Sequence, residues 1–206
     1  MKKIHAHLII AVCLFASSCT KNFQSLNTDP NRPVNINPGV MLGQMQYQIV
    51  NSSISGARNF THELMQVNAP RNSPSGGVHR YYINPGAGVW DGFYNRMADI
   101  EDIINISDKL GERNYKAIGL VYKCWAYSIL TDLYGDVPYS EAAKATTGNF
   151  LPKFDTQKDI YTQVLKDLSS ANDLFDETKA LTYGGDYVYP SNTLSGGKNI
   201  GVQRWR

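Results

Sequence analysis

Hydrophobic positions recur at helical spacing through most of the chain, and no segment alternates convincingly as a strand would. The first run begins at Val40, where Met41, Leu42, Met45, Ile49 and Val50 follow at steps of three and four. A weaker helix is predicted over 59–68, stopping at Ala69-Pro70 because a proline disfavours helical geometry in the residue before it. A clear helix begins at Trp90. Trp90, Phe93, Tyr94, Met97, Ile100, Ile103 and Ile104 share one face, with Asp91, Asp99, Glu101 and Asp102 outside or beside it. The helix predicted over 115–134 is apolar around most of its girth. One row is Ile118, Tyr122, Trp125, Ile129 and Leu133; another is Ala117, Leu120, Cys124, Tyr127 and Tyr134. A helix apolar on several faces is packed on several sides, which makes Trp125 a scaffold residue. Gly135 then Asp136-Val137-Pro138 stop it. The last clear helix opens on a capping box, Thr156-Gln157-Lys158-Asp159, and Ile160, Val164, Leu168, Ala171, Leu174 and Phe175 form its buried stripe. The fold class is all-α, built from helical hairpins.

The intervening segments are polar. Residues 20–39 are rich in Asn and Pro and include Asp29-Pro30-Asn31-Arg32-Pro33, the composition of a tether or of a loop wrapping a surface. Residues 71–89 form a long loop with Arg80-Tyr81-Tyr82 embedded in it, a length that is usually functional or disordered. After Lys179 the chain turns Gly-rich and aperiodic up to Trp205-Arg206.

The first residues assign a compartment. Lys2 and Lys3 precede an apolar stretch from Leu8 to Phe15, then the small residues Ala16-Ser17-Ser18 before Cys19, which are the parts of a secretory signal peptide. The apolar core falls short of the roughly 20 residues that cross a bilayer as a helix. Leu14-Phe15-Ala16-Ser17-Ser18-Cys19 resembles a bacterial lipobox, which implies acylation of Cys19. Three acyl chains anchor far more firmly than the single chain that gives only marginal attachment. The alternative is a plain signal peptide cut nearby, with Cys19 incidental. Cys13 leaves with the signal peptide, so Cys124 has no intramolecular disulfide partner once Cys19 is acylated, and it reads as a small buried hydrophobe.

Without Lys2 and Lys3 the basic and acidic residues balance, and no basic stripe suggests nucleic acid as a partner. Enzyme motifs fail. His62-Glu63-Leu64-Met65-Gln66 begins like a zinc-protease helix, but Gln66 stands where the second histidine ligand belongs. Gly86-Ala87-Gly88 lacks both the third glycine and the preceding strand of a dinucleotide loop. His62 and His79 have no recognisable catalytic partner, and no Cys/His cluster suggests a metal. The reading is a binding protein without catalytic residues, cofactor or metal.

Four stretches together resemble the SusD/RagB family of outer-membrane nutrient-binding lipoproteins. They are the lipobox followed by Leu26-Asn27-Thr28-Asp29-Pro30-Asn31, the helix opening Trp90-Asp91-Gly92-Phe93-Tyr94, the run from Ala126 through Leu133-Tyr134-Gly135-Asp136-Val137-Pro138-Tyr139, and Phe154-Asp155-Thr156-Gln157-Lys158-Asp159-Ile160-Tyr161. The third is the most specific, and the resemblance covers nearly all of residues 19–188. It implies helix pairs like tetratricopeptide repeats, although no 34-residue sequence period is visible. It also implies a TonB-dependent, SusC-like transporter as partner, with an oligosaccharide or peptide as the ligand handed over. Family members run to about twice this length or more, so the helical fold is expected to be incomplete at the C-terminus. The residues after Cys19 lack the acidic character common in surface-exported lipoproteins, which makes cell-surface exposure less secure than the lipid anchor in the outer membrane.

The expected organisation is a signal peptide over 1–18, a lipidated tether over 19–39, a helical domain over 40–182 and an irregular tail over 183–206. Candidate ligand residues come from the 71–95 segment: Arg71, Asn72, Arg80, Tyr81, Tyr82, Trp90 and Asn95, since arginine and aromatic residues concentrate at interaction hot spots. Trp90 reads first as core of the helix it heads and second as a ligand platform. Tyr81 and Tyr82 divide evenly between the two roles. The alternative to a nutrient binder is a structural or inactive remnant lipoprotein that keeps the scaffold without a working site.

Overall fold

The computed structural model describes residues 36–68, 71, 77–81 and 87–188, which, Ile36 apart, lie in one compact unit, Asn37–Arg206. Cys19 and the signal peptide lie outside the described residues, as do Asn72 and Tyr82.

Helix α1 spans Pro38–Gly56 and starts two residues before the apolar pattern does. Pro38 fits the first turn, where a backbone N–H has no partner to lose. The Asn37 side chain caps the turn by accepting from the Val40 N–H at 3.1 Å. Leu42, Met45 and Ile49 are buried along its inner face. The separate helix predicted over 59–68 is instead the end of α1. The chain passes through a wide π-turn, Ala57–Thr61, into a last turn, His62–Leu64, and stops where Gln66 takes a left-handed φ of 56°. No proline interrupts 51–61, so one surplus residue is absorbed as a bulge rather than as a break.

The single helix predicted from Trp90 is two: α2, Ala87–Tyr94, and α3, Met97–Leu110. Asn95 and Arg96 form the turn between them, with the Arg96 N–H donating to the Phe93 carbonyl at 3.0 Å. Buried Phe93, Met97 and Ile100 still follow at steps of four and three, so the core face continues across the break and the pattern conceals it.

Helix α4, Arg113–Tyr134, is the centre of the unit and touches α1, α2, α3 and α5. Tyr115, Ala117, Leu120, Tyr122, Cys124, Ala126, Tyr127 and Leu130 are all buried on it. The expectation of packing on several sides holds, yet Ile118, Trp125 and Ile129 are only partly buried and Leu133 is exposed.

Helix α5, Gln157–Leu174, packs antiparallel on α4 as a hairpin. Its capping box forms: the Asp159 N–H donates to Thr156 Oγ1 at 3.2 Å, and that hydroxyl donates to Asp159 Oδ2 at 2.8 Å. Ile160, Val164 and Ala171 are buried, whereas Leu168 is 40% exposed, against expectation. At 100° per residue Asp167 lies nearer the centre of that stripe than Leu168 does. Tyr139 and Gln163 satisfy the Asp167 carboxylate there, and Leu168 turns outward.

The chain after α5 folds back as a strap. Tyr115 Oη accepts the Tyr183 N–H at 3.0 Å and donates to the Gly184 carbonyl at 2.6 Å. Buried Gln46 donates to Asp186 Oδ1 at 2.8 Å and accepts the Tyr187 N–H at 3.0 Å. Gly185, with a φ of 85°, lies so close to the Gly39 backbone that a Cβ on it would collide with the Gly39 carbonyl. Only glycine meets both demands. Among the described residues there is no strand, only an antiparallel bridge between Val137 and Asp155, and no helix long and apolar enough to cross a membrane.

Candidate functional site

The 71–95 segment is only partly gathered by the structure. Arg71 is exposed, and the short turn Val78–Arg80 packs against the end of α1 with Arg80 exposed. Tyr81 follows in the left-handed region at φ 60°, with its ring 68% exposed. A left-handed, outward-facing tyrosine is uncommon and concentrates at functional loops. Trp90 is half-buried and packs against its neighbours. Its ring stacks on Tyr94 at 4.7 Å, meets Tyr134 edge-on at 5.2 Å, and its backbone N–H donates to the Tyr134 hydroxyl at 3.1 Å. Asn95 is exposed in the α2–α3 turn.

A polar cleft of about 590 Å³, which the sequence reading missed, lies where α3, α4 and α5 meet the loop after α4. Glu101 and Lys123 pair across it at 2.6 Å, and the Lys123 ammonium lies 5.0 Å from the Tyr139 ring centre. The buried Tyr139 hydroxyl donates to Asp167 Oδ2 at 2.6 Å, while Gln163 donates to Asp167 Oδ1 at 2.8 Å. Burial, and then the Asp167 hydrogen bond, push the Tyr139 phenol far above its ordinary value and keep it protonated. Asp155 accepts the Tyr139 N–H at 3.0 Å, the Ser140 N–H at 2.7 Å and the Ser140 hydroxyl at 2.9 Å. Burial pushes its carboxyl up, but the bonds from Ser140 and Tyr139 and the charge of Lys153 outweigh this and hold it below the usual range.

These contacts explain the rare turn in the sequence. Gly135, at φ 74°, ends α4, and its carbonyl accepts from the Thr131 hydroxyl at 2.7 Å. Asp136 Oδ1 accepts the Gln157 N–H at 2.9 Å, capping α5 alongside Thr156, and Gln157 returns a bond to the Thr131 carbonyl at 2.8 Å. The turn is therefore a clasp between the end of α4 and the start of α5. The described carboxylates of the cleft are engaged in this architecture.

A second groove, about 680 Å³ and largely apolar, runs between α4 and α5, with Trp125, Leu165, Leu168 and Phe175 along it. Trp125 thus lines an open surface as well as packing near Tyr122, at 5.8 Å between ring centres. Cys124 is buried beside it. Its thiol donates to the Val164 carbonyl at 3.4 Å, and burial pushes its pKa up to about 12. No group of His, Cys, Asp and Glu that could hold a metal occurs among the described residues.

With this geometry in view, known proteins decide the family. The model of a SusD-like family, described as starch-binding and associating with the outer membrane, matches residues 30–196. The chain belongs to this family. A SusD homologue from Bacteroides fragilis NCTC 9343 shares its fold with a TM-score of 0.60 at 19% identity, over 84% of this chain and 33% of the other. A second SusD homologue from the same organism gives 0.54 at 18% identity, over 82% and 33%. A chitin-binding protein gives 0.53 at 25% identity, over 76% and 35%. The chain spans about a third of the length of these structures. No curated protein sequence matches it. The all-α, SusD-like architecture implied by the turn and helix motifs is the one found.

Proposed function

We propose that this protein is an outer-membrane lipoprotein, anchored through Cys19, that binds an oligosaccharide and passes it to a TonB-dependent transporter. The observation that carries this reading is the starch-binding family match over residues 30–196, supported by a shared fold with a chitin-binding protein. The chemistry is binding, without bond cleavage. Sugars present C–H faces to aromatic rings and hydroxyls to planar polar groups, so exposed Tyr81 with Arg71 and Arg80 is a first place for contact. Asn72 and Tyr82, which lie outside the described residues, join them as candidates on sequence alone.

The test is affinity electrophoresis of the full chain through gels containing soluble starch or glycol chitin, with co-purification of the transporter from outer membranes. Retardation in one gel, together with a co-purifying TonB-dependent transporter, is expected. Unretarded migration in both would sink the reading. A scaffold-only lipoprotein is the second reading. The commitment of the cleft carboxylates Asp155 and Asp167 to holding Tyr139 and the loop after α4 favours it.

A further inference from the structure

The outer face of α1 carries a cleft of about 390 Å³, within the roughly 300–1,000 Å³ typical of ligand pockets. Tyr47, Val50, Asn51 and Ile54 form its floor, and the strap residues Tyr187 and Val188 form a wall. Tyr47 and Tyr187 are 63% and 76% exposed, so two tyrosines stand out from the surface at one concavity. Apolar surface gathered in this way marks an interaction site more often than scattered exposure does.

The geometry holds Tyr187 in place. Its N–H is fixed to Gln46 at 3.0 Å, and Gln46 is held in turn by Asp186. Its ring lies over bare backbone at Gly43, where a Cβ would collide with the ring carbons. A glycine inside a helix costs about 1 kcal/mol relative to alanine, and here it admits an aromatic ring. Gly43, Tyr47 and Asn51 follow at four-residue steps, so the ring seat, the second tyrosine and a carboxamide form one row.

The lining contains tyrosine, asparagine, glutamine and aliphatic side chains and no charged residue. Such a site gains nothing from an anionic or cationic ligand and would desolvate its charge at a cost. A neutral pyranose suits it, with its C–H face against a ring and its hydroxyls within reach of phenol and amide. We infer that the Tyr47–Asn51–Tyr187 cleft binds a short segment of a neutral oligosaccharide. The inference rests on the glycan-binding reading above and names a site for it that is separate from Tyr81.

Titration calorimetry of the full chain with maltohexaose and with chitohexaose tests it. Tyr47→Ala and Tyr187→Ala should each weaken binding of the preferred glycan by roughly tenfold, the loss of one aromatic hot spot. Both side chains are exposed, so the folded state should survive, as unchanged circular dichroism would verify. Gly43→Ala, which displaces the Tyr187 ring while favouring the helix, should weaken binding without loss of helicity. Tyr187→Phe, which keeps the ring, should bind nearly as the parent does. If the parent binds and both alanine variants bind equally well, this site is wrong while glycan binding stands. If the parent binds neither glycan and is unretarded in starch and glycol chitin, both readings fall. Tighter binding of an oligogalacturonate than of either neutral probe would overturn the inferred ligand class.

Discussion

The Tyr115 hydroxyl donates to the Gly184 carbonyl at 2.6 Å, joining the first turn of α4 to a residue 69 positions later. The same oxygen accepts the Tyr183 N–H, so one phenol satisfies two backbone groups of the strap. Burial raises its pKa to about 12, so it stays a donor throughout the physiological range. Tyr115→Phe should therefore cost about 1–3 kcal/mol, the usual penalty for polar groups left unpaired. Urea unfolding should show the loss, and limited proteolysis should cut within 181–188 sooner than in the parent. Equal protection of the strap in both proteins would show that the bridge does not hold it.

Asp155 predicts an acid-sensitive contribution. Its folded pKa lies below the ordinary value of 3.8, so the stability it confers is fully present above 3.8 and is lost as pH falls through the lower folded value. Asp155→Ala should destabilise by about 1–3 kcal/mol at pH 7, because the Tyr139 N–H loses its acceptor. Denaturant midpoints of parent and variant should keep a constant gap from pH 7 down to 3.8, and the gap should narrow only below that. Curves that stay parallel below that pH would contradict the assignment.

Cys124 should resist alkylation in the native protein. Only the thiolate reacts, and a pKa near 12 leaves almost none at pH 8. Maleimide labelling at pH 8 should be negligible until denaturant is added and then go to completion at this residue. Rapid native labelling of Cys124 would show that the α4–α5 interface opens freely.

Lipidation of Cys19 has its own test. Labelled palmitate should enter the parent protein, and Cys19→Ala should abolish both the labelling and recovery in the membrane fraction. Label persisting in the variant would refute the anchor.

Helices whose apolar residues recur over several turns were legible from sequence, as were the Thr156 cap and the Gly135 stop. The α2–α3 break was not, because Phe93, Met97 and Ile100 keep helical spacing across Asn95 and Arg96. The π-turn was hidden for a similar reason: one surplus residue changes the phase without adding a proline or a cap. Leu168 was misplaced because periodicity counts only apolar residues, while Asp167 enters the inner stripe once its carboxylate is satisfied. The candidate site was the least legible part. Tyr81 could be named from its loop, but the Tyr47–Tyr187 cleft joins segments 140 residues apart through Gln46 and Asp186. The nearest local signal was the Gly39, Gly43 step on α1, which marks where another backbone or ring approaches.

The α4–α5 hairpin is tied at both ends. Asp136 and Gln157 join it at one, and at the other Arg113 donates to the Asp173 carbonyl at 2.9 Å while Asn114 donates to the carbonyls of Asp176 and Lys179 at 3.0 and 2.8 Å. A pair of rods pinned at both ends has no pivot. The groove along it cannot gape like a jaw, and any widening must come from the rods slipping lengthwise past each other, a shear that keeps both pins engaged only over short travel.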